Sequence, residues 1–152
     1  MELTAISELM SRIGPDNLDI DEVEESEEGK WQIDLSNDVV IFADWAPNPA
    51  RLVFSTLIGR PNVDRRFVVF ESLLTFNSLW EENSGAKMAI NGAAGEVIVI
   101  FDWFADDPTL ADLNELLTQF IEYADLWCQY VTCEPEIGMS TPSPMMLMTL
   151  LA

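Results

Sequence analysis

No histidine occurs anywhere in the chain, so the commonest general base, proton shuttle and metal ligand is missing before any spacing is considered. The side chains left for chemistry are carboxylates, hydroxyls and two thiols. Asp102, Asp106 and Asp107 cluster near the end of a strand-like run, and paired carboxylates can divide acid and base roles when burial separates their pKa values. Asp106 and Asp107 are better read as helix caps ahead of Pro108. Ser7, Ser55, Ser72 and Thr118 have no imidazole to take their proton, and neither cysteine has a cationic neighbour that would favour the thiolate. Cys128 and Cys133 stand five apart, a spacing that without His matches no zinc or redox signature, so two reduced thiols are expected.

The run of acidic residues from 16 to 28 invites a calcium site, yet it contains no D-x-[DN]-x-[DN]-G spacing, and a solvated segment is the plainer reading. Gly92-Ala93-Ala94-Gly95 lies between two strand-like runs, where a hairpin loop explains it and no helix N-terminus faces a phosphate. Arg60, Arg65 and Arg66 form the one basic cluster, read as solubility and charge pairing ahead of recognition of an acidic partner. No catalytic residue, no metal and no cofactor is therefore expected. The net charge of −20, from 27 Asp and Glu against 7 Lys and Arg, repels nucleic acid and anionic membrane and favours partners with basic segments. The start lacks a basic region followed by an apolar one, and no apolar run approaches the ~18 residues of a membrane span, so a cytoplasmic protein is expected.

Leu3, Ile6, Leu9, Met10 and Ile13 recur at helical spacing before Gly14-Pro15. The acidic segment 16–29 has room for one edge strand, with the remainder a loop. Trp31–Leu35, Val39–Trp45 and Leu52–Ile58 read as an antiparallel meander, and the middle run is apolar enough to expect cover on both faces. From about 62 to 83 the spacing is helical, with Val69, Leu73, Phe76 and Trp80 as the core stripe and Phe67, Phe70, Leu74 and Leu79 widening it. Two more strands flank the glycine-rich loop. The clearest helix follows, on Leu110, Leu113, Leu117, Phe120, Ala124, Trp127 and Val131. These elements predict an α+β domain over 1–133, followed by a Pro- and Met-rich tail, 134–152, flexible or docked. More apolar surface is present than one such core needs, which points to protein partners.

The order helix, three strands, helix, two strands, helix, together with strong acidity, resembles the class I type III secretion chaperones. The resemblance covers roughly residues 1–133. It is carried by EVIVIFDWF, the turn ADDPTL and the helix LADLNELLTQFIEYADLWCQYV at the end, and by the central LLTFNSLWEENSG with AKMAING, including Asn77 after the paired leucines.

That likeness implies a helix-β-β-β-helix-β-β-helix fold with a twisted antiparallel sheet packed against helices. It also implies a bacterial cytosolic homodimer that wraps an extended N-terminal segment of a secreted effector and keeps it soluble and export-competent. Dimer contacts fall on the helix 62–83 and the following strand, with Phe70, Leu73, Leu74, Asn77, Trp80, Met88 and Ile90. Effector contacts fall on Leu3, Ile6, Leu9, Met10 and Ile13 of the first helix, and on Trp31, Ile33, Phe42 and Trp45 of the meander. The alternative within the same system is a regulatory partner of the same fold that sequesters an anti-activator.

Overall fold

A computed structural model describes residues 2–14, 20–79, 81, 83 and 85–133. The chain folds as α1 (Leu3–Met10), β1 (Ile20–Glu27), β2 (Lys30–Leu35), β3 (Val40–Pro47) and β4 (Ala50–Gly59). A single 3-10 turn (Val63–Arg65) then leads into α2 (Arg66–Ser78), β5 (Ala86–Asn91), β6 (Glu96–Trp103) and α3 (Leu110–Thr132). The six strands form one antiparallel sheet in the order β1-β2-β3-β4-β6-β5, an α+β fold. The expected tail, 134–152, lies outside the described residues.

Within the described part of the acidic segment, Ile20–Glu27 form a strand and residues 28–29 turn into β2; residues 16–19 lie outside the described residues. An edge strand needs few anchors. Ile20 and Val23 pair with Leu35 and Ile33 on the buried side, and the carboxylates occupy the exposed positions. Two register shifts, between Ile20 and Glu22 and between Glu25 and Glu27, absorb the imperfect alternation. Gly29 closes the turn at φ +75°, with Leu3 Cδ1 and Trp45 Cβ at 3.2 and 3.5 Å from where a Cβ would stand. The left-handed backbone favours glycine there, and a Cβ would also press on the Leu3 side chain.

The described residues divide into two compact units. The first comprises the described residues of 2–56 and 101–120, with Ile6, Met10, Ile33, Ile41, Leu52, Phe54, Leu113 and Leu117 among its fully buried side chains. Phe54 and Phe120 stack at 6.0 Å between centroids, and the buried Thr56 hydroxyl donates to Val40 O. The second comprises the described residues of 57–100 and 121–133, where Phe76, Tyr123, Trp127 and Tyr130 form a chain of tilted and edge-on rings.

Three expectations are corrected by the helix ends. The cap of α3 is Thr109, not Asp106 or Asp107: Asp112 N–H donates to Thr109 Oγ1 and Thr109 N–H to Asp112 Oδ2, a reciprocal capping box. The Thr109 hydroxyl and amide hold the Asp112 carboxyl below the usual carboxylate range. Arg65 is not a solubility residue. It is 9% exposed, its Nη1 donates to the carbonyls of Tyr130 and Cys133, and its guanidinium lies 5.4 Å from the Tyr130 ring centre. α3 has no basic residue in its last turn, so Arg65 supplies from the 3-10 turn the donors that its terminal carbonyls lack. The same Nη1 stands 2.7 Å from Cys133 Sγ, so this thiol does have a cationic neighbour.

Candidate interaction surfaces

The chemistry-bearing residues fall into structural pairs. Asp102 Oδ1 accepts from Arg51 Nε at 3.0 Å, a half-buried ion pair joining β6 to β4. Tyr130 and Ser72 share a hydrogen bond of 2.6 Å. Cys128 and Cys133 are free thiols, and among the described residues no three acidic or sulfur side chains converge as a metal site requires. What the fold exposes instead, among the described residues, is apolar surface: two patches, with Leu57 and Phe104 exposed besides.

One lies in the first unit, on the outer face of the sheet. Alternation along β2, β3 and β4 buries Trp31, Ile33, Leu35, Ile41, Ala43, Leu52 and Phe54, so the residues between them face outward. The pairing register lines these into rows: Glu22 opposite Asp34 opposite Val40; Glu24 opposite Gln32 opposite Phe42 opposite Ser55; Glu27 opposite Lys30 opposite Asp44 opposite Val53. Phe42 is 42% exposed, and the expected cover on both faces of β3 is therefore absent from this side among the described residues. Glu27 and Lys30 form an ion pair that lowers the one pKa and raises the other.

The other lies in the second unit, on α2. Val69, Ser72, Leu73 and Phe76 face the core, while Val63, Phe67, Val68 and Leu74 are exposed, Phe67 at 78% and Leu74 at 72%. A spacing of seven places Phe67 and Leu74 on one stripe of α2, and Val63 is exposed in the 3-10 turn just before it. Ile90 on β5 is exposed as well. The Asn77 amide clasps the β5 backbone, its Nδ2 donating to Met88 O at 2.9 Å and its Oδ1 accepting from Met88 N at 2.8 Å. Asn83 O takes the Ala86 N–H.

Placement sorts the residues expected at partner contacts. Ile6, Leu9, Met10, Ile13, Trp31 and Ile33 lie in the core in this conformation, Leu3 and Trp45 are half-buried, and Phe42 is exposed. Of the residues expected at the dimer contact, Leu74 and Ile90 are exposed, Phe70 and Asn77 half-buried, Leu73 and Met88 buried, and Trp80 lies outside the described residues. Val63 and Val68 join the α2 patch without having been singled out. Their place, four before and one after Phe67, was the available signal.

No helix among the described residues is long and apolar enough to cross a membrane. No curated protein sequence matches the chain significantly. Among solved structures, the fold is similar to a chain of the ExsC-ExsE complex, with TM-score 0.64, 19% identity, and 86% of this chain and 93% of the other covered. It is also similar to a chain of the HopA1-SchA chaperone-effector complex, with TM-score 0.59, 14% identity, and 82% and 97% covered. The family model for the Tir chaperone protein (CesT) family matches residues 5–128, spanning most of α1, the whole sheet and most of α3. An α+β chain with this order of elements and this match belongs to the Tir chaperone protein (CesT) family.

Proposed function

We propose that this protein is a non-catalytic cytoplasmic chaperone that works as a homodimer, binds an extended N-terminal segment of a type III secreted effector, and holds that segment soluble and ready for export. The observation that carries the reading is the uncovered outer sheet face centred on Phe42, in a chain whose family is one of chaperones. A large aromatic side chain left at 42% exposure on a sheet is costly to leave in water and gains by covering. An extended segment lying on this face would bury Phe42 together with the half-buried Val40 and Val53. The α2 stripe, on the second unit, is the surface for the second copy.

The test is co-expression with effectors encoded nearby, followed by purification on a tagged chaperone and assay of secretion. The wild-type chain should hold an effector in soluble form, and Phe42→Asp should lose it while keeping its far-UV spectrum and its melting temperature. A chain that captures no effector, or a Phe42→Asp variant that captures it as well as wild type, would refute the reading. Capture of a transcriptional anti-activator in place of an effector would favour the regulatory alternative.

A further inference from the structure

The outer sheet face is lopsided in charge. In the row Glu27-Lys30-Asp44 a cation is already paired. In the two rows beside it, Glu22 stands directly across from Asp34, with Glu24 next along β1, and no described cation pairs with any of the three. Like charges directly opposite on neighbouring strands are destabilising, and the arrangement persists with only the Gln32 amide donating to Asp34. Phe42 lies in the same row as Glu24, two strands away.

Resting on the chaperone reading above, we propose that this face selects an extended cationic segment in which an apolar residue packs on Phe42 and a Lys or Arg about three positions away meets Glu22, Glu24 and Asp34. The spacing follows from geometry. Strands lie about 4.8 Å apart, so Phe42 and Glu24 are separated by roughly 10 Å across the sheet, and an extended chain covers that distance in about three residues.

Charge decides between occupants. Residues 134–152 of this chain contain no Lys or Arg. A second copy offers seven such residues against 27 carboxylates, and of the seven Lys30 and Arg51 are paired and Arg65 is buried. The tail brings no cation and a second copy brings a net negative charge, whereas a foreign basic segment brings net positive charge to the three carboxylates. The same carboxylates repel copies of the chain from the edge strand, so the cost of crowding them is returned as partner choice.

Fluorescence anisotropy on the full chain tests this with three labelled peptides of about twelve residues in a Ser/Thr background, long enough to cross the sheet. One carries Leu-x-x-Lys units, one has each Lys replaced by Glu, and one has each Lys moved next to its Leu. The Leu-x-x-Lys peptide should bind at least about tenfold more tightly than either of the others, and its binding should weaken with added salt. The triple substitution Glu22→Gln, Glu24→Gln, Asp34→Asn, at exposed or half-exposed positions, should erase that preference while the chain melts as a folded protein. Equal binding of the Lys and Glu peptides, a preference that survives the triple substitution, or no binding of any peptide overturns the proposal. An effector that still co-purifies in a Phe42-dependent manner with the triple variant would leave the chaperone reading standing and refute this charge selection alone.

Discussion

The Tyr123 hydroxyl sits among the rings of Phe76 and Trp127 with no hydrogen-bond partner among the described residues, and burial pushes its pKa well above the usual phenol range. The Trp127 indole N–H opposes that rise without reaching hydrogen-bond geometry. An unfolded phenol ionises near pH ~10, so this group's contribution to stability is intact below that pH and is lost as pH rises from there toward the folded value. Tyr123→Phe removes an unsatisfied hydroxyl and keeps the ring. It should leave neutral-pH stability unchanged or raise it by up to about 1 kcal/mol, and it should flatten the decline above pH ~10 measured by urea unfolding. A loss of more than about 1 kcal/mol at neutral pH would mean that the hydroxyl is bonded after all. Residues of this kind are poorly legible in sequence. The role of Arg65 depends on carbonyls 65 and 68 positions away, and no local pattern encodes that meeting. The α3 cap was legible, because Thr109 and Asp112 have the spacing of a capping box, but the acidic pair just before Pro108 offered a competing start.

Among the elements, α2 carries apolar residues on opposite sides, one set buried and the other exposed within the protomer. A second copy is the occupant proposed for the exposed side. Light scattering at micromolar concentration should report a dimer for wild type and a monomer for Phe67→Asp with Leu74→Asp. Because both side chains are largely exposed in the protomer, the monomer's own stability should stay within about 1 kcal/mol of wild type. A wild-type monomer, or a double variant that remains dimeric, would remove α2 from the interface. The order and type of the elements were legible because their periodicities are long and unbroken, as in α3. Which strand face is covered was not. Alternation states that Trp31 and Ile33 share a side and that Phe42 lies opposite Ile41, but it does not say which side the helices take. β1 was half legible for a related reason, since an edge strand is held by Ile20 and Val23 while carboxylates fill the rest.

Over the whole chain, a net charge of −20 acts against the compact state through self-repulsion, and the described ion pairs, Glu27–Lys30 and Arg51–Asp102, offset little of it. Raising NaCl from about 20 to about 300 mM shortens the screening length several-fold and should stabilise the fold by about 1 kcal/mol, or ~3 °C in Tm. Calorimetry showing a fall in Tm with salt would mean that attractive pairs outweigh the repulsion. Binding of a basic partner should respond in the opposite direction, weakening over the same range. The pair of measurements therefore separates what the acidity costs the fold from what it contributes to recognition.

The Asn77 clasp on β5 bears on how far such a molecule can assemble. β5 ends the sheet, and an open edge is a template on which another strand can be laid. Here the outward-facing N–H of Ala86 and both backbone groups of Met88 are already taken, by Asn83 and Asn77. Two copies meeting on this side find the ladder groups of Ala86 and Met88 already bonded, so no hydrogen-bonded ladder can run along that part of β5 from one to the next. A symmetric contact made there by side chains would pass nothing on to a third molecule, so the proposed dimer would stop at a finite particle and not run on into a fibre.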